Sequence, residues 1–434
     1  MEKNTLCFPV VAQDAVNYLI DKYLANSQIS CILRLNGKLN KTILQQAVRI
    51  SLDAEPILGC CFIADDDHPF WELQTNFETS DFFSIIETNN LDQELQRFVG
   101  TRNNLSRDCQ IKVRLIRTEV DTVCIKVNHA CSDAAGLKQY LCLLVSIYNQ
   151  LLKGLQYVVE SKTSVNRGQD QIFNLDYVTN GLNELMKTGV NQSEPTVAFP
   201  CKSGEEKEQA FIVKNYPIKK ISEYAKANCA TVNDVLLTAF IRSIPKVADI
   251  QNNTISLYFT VDLRRYLADH KAGSMCNLSA MQVVTLTYDL VESFDETLSR
   301  LLMETRRIKR NYPGIKSAYL LEMAHRKLRF KDACVHFQQR RKHISTTGLC
   351  IPTLSNVGVI TEKSTTFGSL EIVDCYLVGP AAFSPDLGIV TSTFNDTVTF
   401  AVNFFQSTMP KVIVEKFLDA LCNELQSCIS STES

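Results

Sequence analysis

Between Val123 and Leu144 the hydrophobic period of the chain changes once. Val123, Ile125 and Val127 alternate with Cys124, Lys126 and Asn128, the pattern of a half-buried β-strand. Beyond His129 come small residues, Ala130, Cys131 and Ser132, and then Asp133, Ala134, Ala135 and Gly136. Leu137, Tyr140, Leu141 and Leu144 follow at helical spacing. Asp133 is well typed as the N-cap or first-turn residue of that helix, where a carboxylate satisfies free backbone N–H groups. The pattern therefore predicts a strand ending at a histidine, a turn of small side chains, and a helix opened by an aspartate.

Residues 1–28 carry Phe8, Val10, Val11, Val16, Leu19, Ile20, Tyr23 and Leu24, a short helical opening segment. The run 31–40 alternates as a strand, and Lys41 to Asp53 places Ile43, Leu44, Ala47, Val48 and Leu52 on one helical face. A strand, an acidic turn and a short strand are expected over 55–74. Runs 109–118 and 123–130, parted by Glu119 to Thr122, have a hairpin signature. From Gly154 to Glu208 the periodicity weakens to Gly, Ser, Thr, Asn and Lys, with a short apolar helix around Leu182 to Met186.

The later part starts with a strand at 209–218, then a helix, then a long apolar helix capped by Thr231 or Asn233. Strands follow at 254–267, where the run ends in a charged cluster, and at 281–290, with an amphipathic helix from Ser293 to Arg310. Runs 352–360, 370–379, 386–395 and 398–406 read as four more strands before a helix from Pro410 to Ile429. A hairpin followed by a long helix closes each half, at 109–152 and at 386–429. This order predicts an α/β (α+β) protein of two similar domains, each a mixed sheet flanked by helices. The expected division is a domain over 1–153, a crossover over 154–208 and a domain over 209–434.

Composition narrows the partners. A chain of 434 residues is too long for one ordinary core. Its 45% hydrophobic and 21% charged content suits a packed globular protein. A net charge of −2 gives no electrostatic case for nucleic acid or an anionic membrane. None of the 16 cysteines forms a C-x-x-C pair, so no zinc ribbon or other metal site is expected. Cys31, Cys124, Cys142, Cys229 and Cys422 lie in apolar segments, where cysteine acts as a small hydrophobe. The N-terminus lacks a basic region and a long apolar run, and Leu141 to Leu152 is too short to cross a bilayer. A reduced, cytoplasmic, soluble protein is the simplest account. Walker, G-x-G-x-x-G, H-E-x-x-H and G-x-S-x-G motifs are missing from the sequence.

A lone histidine after a strand is more often a hydrogen-bonded structural residue than a catalyst. The small side chains beyond His129 leave its imidazole uncovered, as a general base requires, but this spacing alone favours the structural role, and what changes the balance is its company elsewhere in the chain. Asp133, if buried, needs a cation or several N–H donors. Arg264, just past the apolar positions Leu257, Phe259 and Val261, is placed to supply one, although chemistry alone does not single it out of 45 basic residues.

With these residues in view the chain resembles the chloramphenicol acetyltransferase-like superfamily, which includes condensation domains, wax ester synthases, alcohol acetyltransferases and plant BAHD enzymes. The family marker His-x-x-x-Asp is matched by His129 to Asp133. Further similar stretches are LDAEPIL (52–58), ATVNDVLLTAF (230–240), VDLRR (261–265), GSMCN (273–277) and LSNVG (354–358), so the resemblance spans nearly the whole chain. It implies two domains meeting at a tunnel, with His129 as general base between an acyl thioester and an acceptor alcohol or amine. The donor is an acyl-coenzyme A or an acyl-phosphopantetheine arm on a carrier protein, used as co-substrate with no covalently bound cofactor. Asp133 is implied to be structural and paired with Arg264, and Ser355 or Asn356 to donate to the tetrahedral oxyanion.

The chain departs from the family pattern at Asn128, which replaces the first histidine of the common doublet, and at Ala134, with Gly136 following later. SPDLG (384–388) lacks the aromatics of the BAHD motif, which points away from a plant-type enzyme. Two residues of separation at a turn rarely align a thiol with an imidazole, so Cys131 reads as a small residue rather than a nucleophile. His68, His270, His325, His336 and His343 have no partner spacing. The basic runs 306–310, 326–331 and 340–342 read as solvated helix faces, with phosphate or acidic-carrier binding as the minority reading. Acyl-coenzyme A-dependent transfer is the leading expectation. The alternatives are a carrier-dependent condensation or esterification enzyme and a catalytically silent binding member.

Overall fold

The strand that ends at His129 lies in the middle of a six-stranded sheet, and that sheet is one of two. In the computed structural model, which describes residues 6–75, 77, 81–187, 193–289, 291–360 and 365–430, Asp121–Asn128 pairs antiparallel with Gln28–Leu35 on one side and Ile111–Arg117 on the other. Ile111–Arg117 pairs parallel with Phe83–Glu87, and Gln28–Leu35 pairs antiparallel with Leu370–Val378, which leads to the short edge Thr366–Phe367. The second sheet runs Gln209–Pro217, Thr397–Phe405, Gly388–Phe394, Thr353–Val359, Thr254–Asp262 and Ser279–Thr287. Its two central pairings, about Thr353–Val359, are parallel and the rest antiparallel. Both sheets are mixed and carry helices, as the element order predicts.

Each lobe has its own core, and the plan repeats. The hairpin Ile111–Arg117/Asp121–Asn128 is followed by helix Ala134–Leu152, and the hairpin Gly388–Phe394/Thr397–Phe405 by helix Lys411–Ser430. Helix Ala134–Leu152 starts where Asp133, with extended backbone, accepts a hydrogen bond from the Gly136 N–H. It buries Leu137, Tyr140, Leu141, Leu144, Ile147 and Tyr148, and the Tyr140 hydroxyl lies 3.0 Å from Ser51 Oγ of helix Lys41–Ala54. Full burial of such side chains stabilises by about 1.5–3 kcal/mol each before entropy is charged. The lobes are not contiguous in sequence. Leu370–Val378 lies late in the chain yet completes the first sheet, where Ile372, Cys375 and Leu377 join the first-lobe core.

The strand before His129 is not half-buried: all eight residues are buried. Val123, Ile125 and Val127 face the main first-lobe core, while Cys124 packs with Phe98, Val99, Phe211, Val378 and Ala401. Phe211 and Ala401 sit on second-sheet strands, so the alternate face is sealed by the lobe junction and by helix Leu91–Gly100. Sequence reading offered no expectation for Phe83–Glu87 or for that helix, and these cover the polar positions. Lys126 is tolerated there because its Nζ donates to the carbonyls of Phe98, at 2.7 Å, and Thr101 at the helix end.

Smaller differences follow. The helix expected around Leu182 to Met186 extends over Asp176–Lys187, and residues 188–192 of the crossover lie outside the described residues. The strand expected over 281–290 is Ser279–Thr287, with Leu290 outside the described residues. Among the described residues no cysteine is in a disulfide; Cys31 and Cys124 are buried, but Cys142 and Cys229 are exposed and Cys422 half-buried, so burial fails for three of the five residues expected inside. Among the described residues no helix is long and apolar enough to cross a membrane.

Candidate active site

His129 is the first residue beyond its strand, and within 127–133 it alone is not fully buried. Its backbone N–H donates to Ser27 O at 2.8 Å, continuing the pairing with the neighbouring strand. The turn beyond is closed by Asn128, whose Oδ1 accepts from Ala130 N at 2.8 Å and whose carbonyl accepts from Cys131 N at 3.1 Å. Asn128, in place of a histidine, thus shapes the turn. The His129 ring lies with Nδ1 3.0 Å from Asn277 Oδ1, and Asn277 Nδ2 donates to the carbonyls of His129, at 2.8 Å, and Ala130, at 3.2 Å.

Asp133 and Arg264 meet across the lobe junction. Arg264 Nη1 donates to Asp133 Oδ2 at 2.8 Å, and Leu278 N donates to the same oxygen at 2.8 Å. With Gly136 N on Oδ1, the carboxylate is spent on backbone and guanidinium and makes no bond to His129 among the described residues. Burial alone raises the Asp133 pKa, but the Arg264 charge and hydrogen bonds outweigh it and hold the carboxyl below its ordinary value. Arg264 shifts the opposite way: burial lowers it and the Asp133 carboxylate more than restores it. Its Nη2 also donates to Cys276 O at 3.0 Å. Both side chains are 4% exposed, so each charge depends on the other.

A second buried arginine, unforeseen from sequence, holds the same place. Arg167 in the crossover makes a two-pronged pair with Asp14, at 2.7 and 3.1 Å, and donates to Met275 O at 3.0 Å and Cys131 O at 2.8 Å. Trp71 Nε1 completes the Asp14 site at 2.8 Å. Glu55 accepts from Ser274 Oγ at 2.8 Å and Met275 N at 3.1 Å; burial raises its pKa, the hydrogen bonds opposing. Glu55 and Asn277 fall inside the family-like stretches 52–58 and 273–277, a signal that could have found them. Arg167 stands among residues without periodicity, and Asp14 is one polar residue on a helix.

Ser355 and Asn356 diverge. In the parallel pairing Leu354 lies opposite Ile389 and Ser355 opposite Val390. Leu354 and Ile389 belong to the second-lobe core, whereas Val390 packs against the first-lobe core. Ser355 therefore shares the face turned towards the first lobe, and its hydroxyl lies 3.0 Å from Thr260 Oγ1. Asn356 points the other way, donating to Asn233 Oδ1 at 3.3 Å and accepting from Gly358 N at 3.0 Å. On the helix after His129, Lys138 Nζ donates to the carbonyls of Val357, at 2.7 Å, and Val359, at 3.2 Å, a further tie between the lobes.

Cys131 is fully buried, its Sγ donates to Asn128 O at 3.2 Å, and burial pushes its thiol pKa far up, the reverse of an activated nucleophile. His68, His270, His336 and His343 are exposed and His325 half-buried. In the basic runs Arg307 pairs with Glu304, Arg326 with Glu322, Arg329 with Asp332 and Arg341 with Glu206. Among the described residues no cluster of three or more His, Cys, Asp or Glu is placed to hold a metal ion.

No protein-family model matches the chain. A 221-residue stretch is 24% identical to nonribosomal peptide synthetase sidC of Aspergillus fumigatus, covering 47% of this chain and only 4% of that protein's length. Solved structures match end to end. The TRI3 trichothecene 15-O-acetyltransferase of Fusarium sporotrichioides superposes with a TM-score of 0.69 at 12% identity, covering 98% of this chain and 96% of that one. The epimerization domain of the third module of tyrocidine synthetase B gives 0.69 at 12%, covering 99% and 98%. The starter condensation domain of rhizomide synthetase gives 0.69 at 12%, covering 98% and 94%. The chain therefore has the two-lobed chloramphenicol acetyltransferase-like fold of condensation domains.

Proposed function

We propose that the protein is an acyltransferase that moves an acyl group from a thioester donor to a hydroxyl or amine acceptor, with His129 as general base. The observation that carries this reading is the partial burial of one side chain among buried neighbours. Val127, Asn128, Ala130, Cys131, Ser132 and Asp133 are at most 3% exposed, yet His129 between them is only partly buried at the junction of two lobes. In the reaction the acceptor oxygen or nitrogen attacks the thioester carbonyl carbon while the imidazole takes its proton. The tetrahedral oxyanion then collapses, the C–S bond breaks, and the imidazolium returns the proton to the thiolate. The products are an ester or amide and a free thiol. Asp133 and Arg264 hold the loop and touch neither reactant. Of the two oxyanion candidates Ser355 is the better placed, because its face is turned to the first lobe and Asn356 is occupied at both ends.

The donor in the leading reading is an acyl-coenzyme A. A carrier-bound thioester is the second reading, supported by the stretch similar to a nonribosomal peptide synthetase. A panel of acyl-coenzyme A donors with mixed alcohols and amines, monitored by thiol release, tests both. Acceptor-dependent release that disappears in His129→Ala, with unchanged thermal unfolding, supports the base and the donor class. Equal behaviour of wild type and variant on every coenzyme A donor rules that donor out and moves the test to carrier-bound thioesters. Background rates there as well leave a binding protein.

A further inference from the structure

Asn277 bridges the His129 ring and the backbone beside it. The oxygen and nitrogen of a carboxamide are assigned from their neighbours, and here the neighbours leave one solution. On one side of the Asn277 amide stand the carbonyl oxygens of His129 and Ala130, at 2.8 and 3.2 Å, which can only accept. The NH2 group must face them. The amide oxygen then faces His129 Nδ1 at 3.0 Å, and since that oxygen can only accept, Nδ1 must be the N–H. In the neutral ring Nε2 is left with its lone pair, and among the described residues no protein group bonds it.

The amide comes from the other lobe. Asn277 is fully buried and stands just ahead of Ser279–Thr287 in the second sheet, while His129 ends a strand of the first. Its loop is fixed by Glu55 at Ser274 and Met275, by Arg167 at Met275 and by Arg264 at Cys276. We propose that Asn277 is a positioning residue that locks His129 in the Nδ1–H tautomer across the lobe junction. The inference rests on the reading of His129 as a base acting through Nε2, because the opposite tautomer would present a hydrogen where a lone pair is needed. An unrestrained imidazole favours the opposite tautomer, so the restraint has a function.

The test is spectroscopic and needs no substrate. Protein labelled with 15N in its imidazoles is examined at a pH where His129 is neutral, its signals assigned by their loss in His129→Ala. The expected pattern is a protonated Nδ1 and an unprotonated Nε2. A protonated Nε2 in the wild type overturns the proposal, and needs no variant to fold. In Asn277→Ala the pattern should shift towards protonated Nε2, and kcat should fall by about tenfold or more with KM for the donor little changed. An Asn277→Ala protein that keeps Nδ1 protonated also overturns the proposal. The predicted tautomer in a protein without transfer activity on any thioester would instead count against His129 as base and leave the tautomer lock standing.

Discussion

Arg167 and Arg264 donate to consecutive backbone carbonyls, Met275 O and Cys276 O, each at 3.0 Å. Each is neutralised by a buried carboxylate, Asp14 for one and Asp133 for the other, and each also reaches the turn after His129, through Cys131 O or through Asp133 itself. Two segments almost 150 residues apart, as the contact between 129 and 277 shows, are thereby fastened twice. Burying an ion pair costs desolvation that its attraction only about offsets, so these pairs are poor devices for bulk stability. They are good devices for geometry, because each guanidinium must satisfy several fixed acceptors at once.

Removing Arg264 should therefore cost more than the pair contributes. In Arg264→Ala the Asp133 carboxylate stays buried without its cation, and the expected loss is about 3–5 kcal/mol, read from the urea midpoint at neutral pH. Arg264→Lys should recover little, since one ammonium cannot reach both Asp133 and Cys276 O. The sign with pH follows from the depressed carboxyl: its contribution is present above the ordinary carboxylate value and is lost as pH falls through the lowered one. The variant should lack that part of the acid transition. A loss under about 1 kcal/mol would show that the pair is not an uncompensated charge when broken.

Arg167→Ala should behave like Arg264→Ala although the residue sits in the crossover. It leaves Asp14, fully buried, with Trp71 Nε1 as its nearest strong donor. A loss of about 3 kcal/mol is expected, with a fall in transfer rate because Cys131 O and Met275 O lose their shared donor. In a double-mutant cycle with Asp14→Ala the combined loss should be well below the sum of the two. Additive losses would mean that the pair is not coupled in the folded protein.

How much of this was legible in the sequence depended on whether the signal was local. The turn from strand to helix at His129 and Asp133 was readable because periodicity changes there and Asp133 caps the helix that follows. The repeated hairpin and helix were readable for the same reason. Burial of Lys126 was not, since alternation reports polarity and not what another lobe brings to the polar face. Arg167 was not, because one arginine in an aperiodic stretch has no pattern to mark it. The crossing of Leu370–Val378 into the first sheet is a register choice between two apolar surfaces, and its own sequence reads as a strand in either.

Ser355→Ala tests the oxyanion assignment. If the Ser355 hydroxyl turns from Thr260 to the developing oxyanion, its loss should lower kcat by roughly tenfold to a hundredfold, with KM nearly unchanged. Asn356→Ala should instead act through stability, since that side chain ties the strand to Asn233 and Gly358. The assignment fails if the effects are reversed, with Asn356→Ala lowering kcat and Ser355→Ala altering only the unfolding midpoint.

Lys126 gives the lobe junction a pH dependence of its own. The side chain is 1% exposed, two residues before Asn128, with Nζ 4.7 Å from the centre of the Phe98 ring and bonded to two carbonyls. Burial, with Lys112 and Arg114 adding repulsion, pushes its pKa down to about 7 from 10.5. A neutral amine still has two N–H groups for the Phe98 and Thr101 carbonyls, so deprotonation leaves no acceptor orphaned. Between those two values the unfolded chain holds a proton that the folded one releases, and stability must rise with pH across that window. Below about 7 both states are protonated and the contribution is flat, at its least favourable. Lys126→Met removes the titration. The wild type should therefore gain on the variant between pH 7 and pH 9.5, by at most about 1.4 kcal/mol per pH unit, in urea unfolding at matched ionic strength. Parallel curves would show that the ammonium stays charged in the folded protein and that the two carbonyls and the ring hold it there.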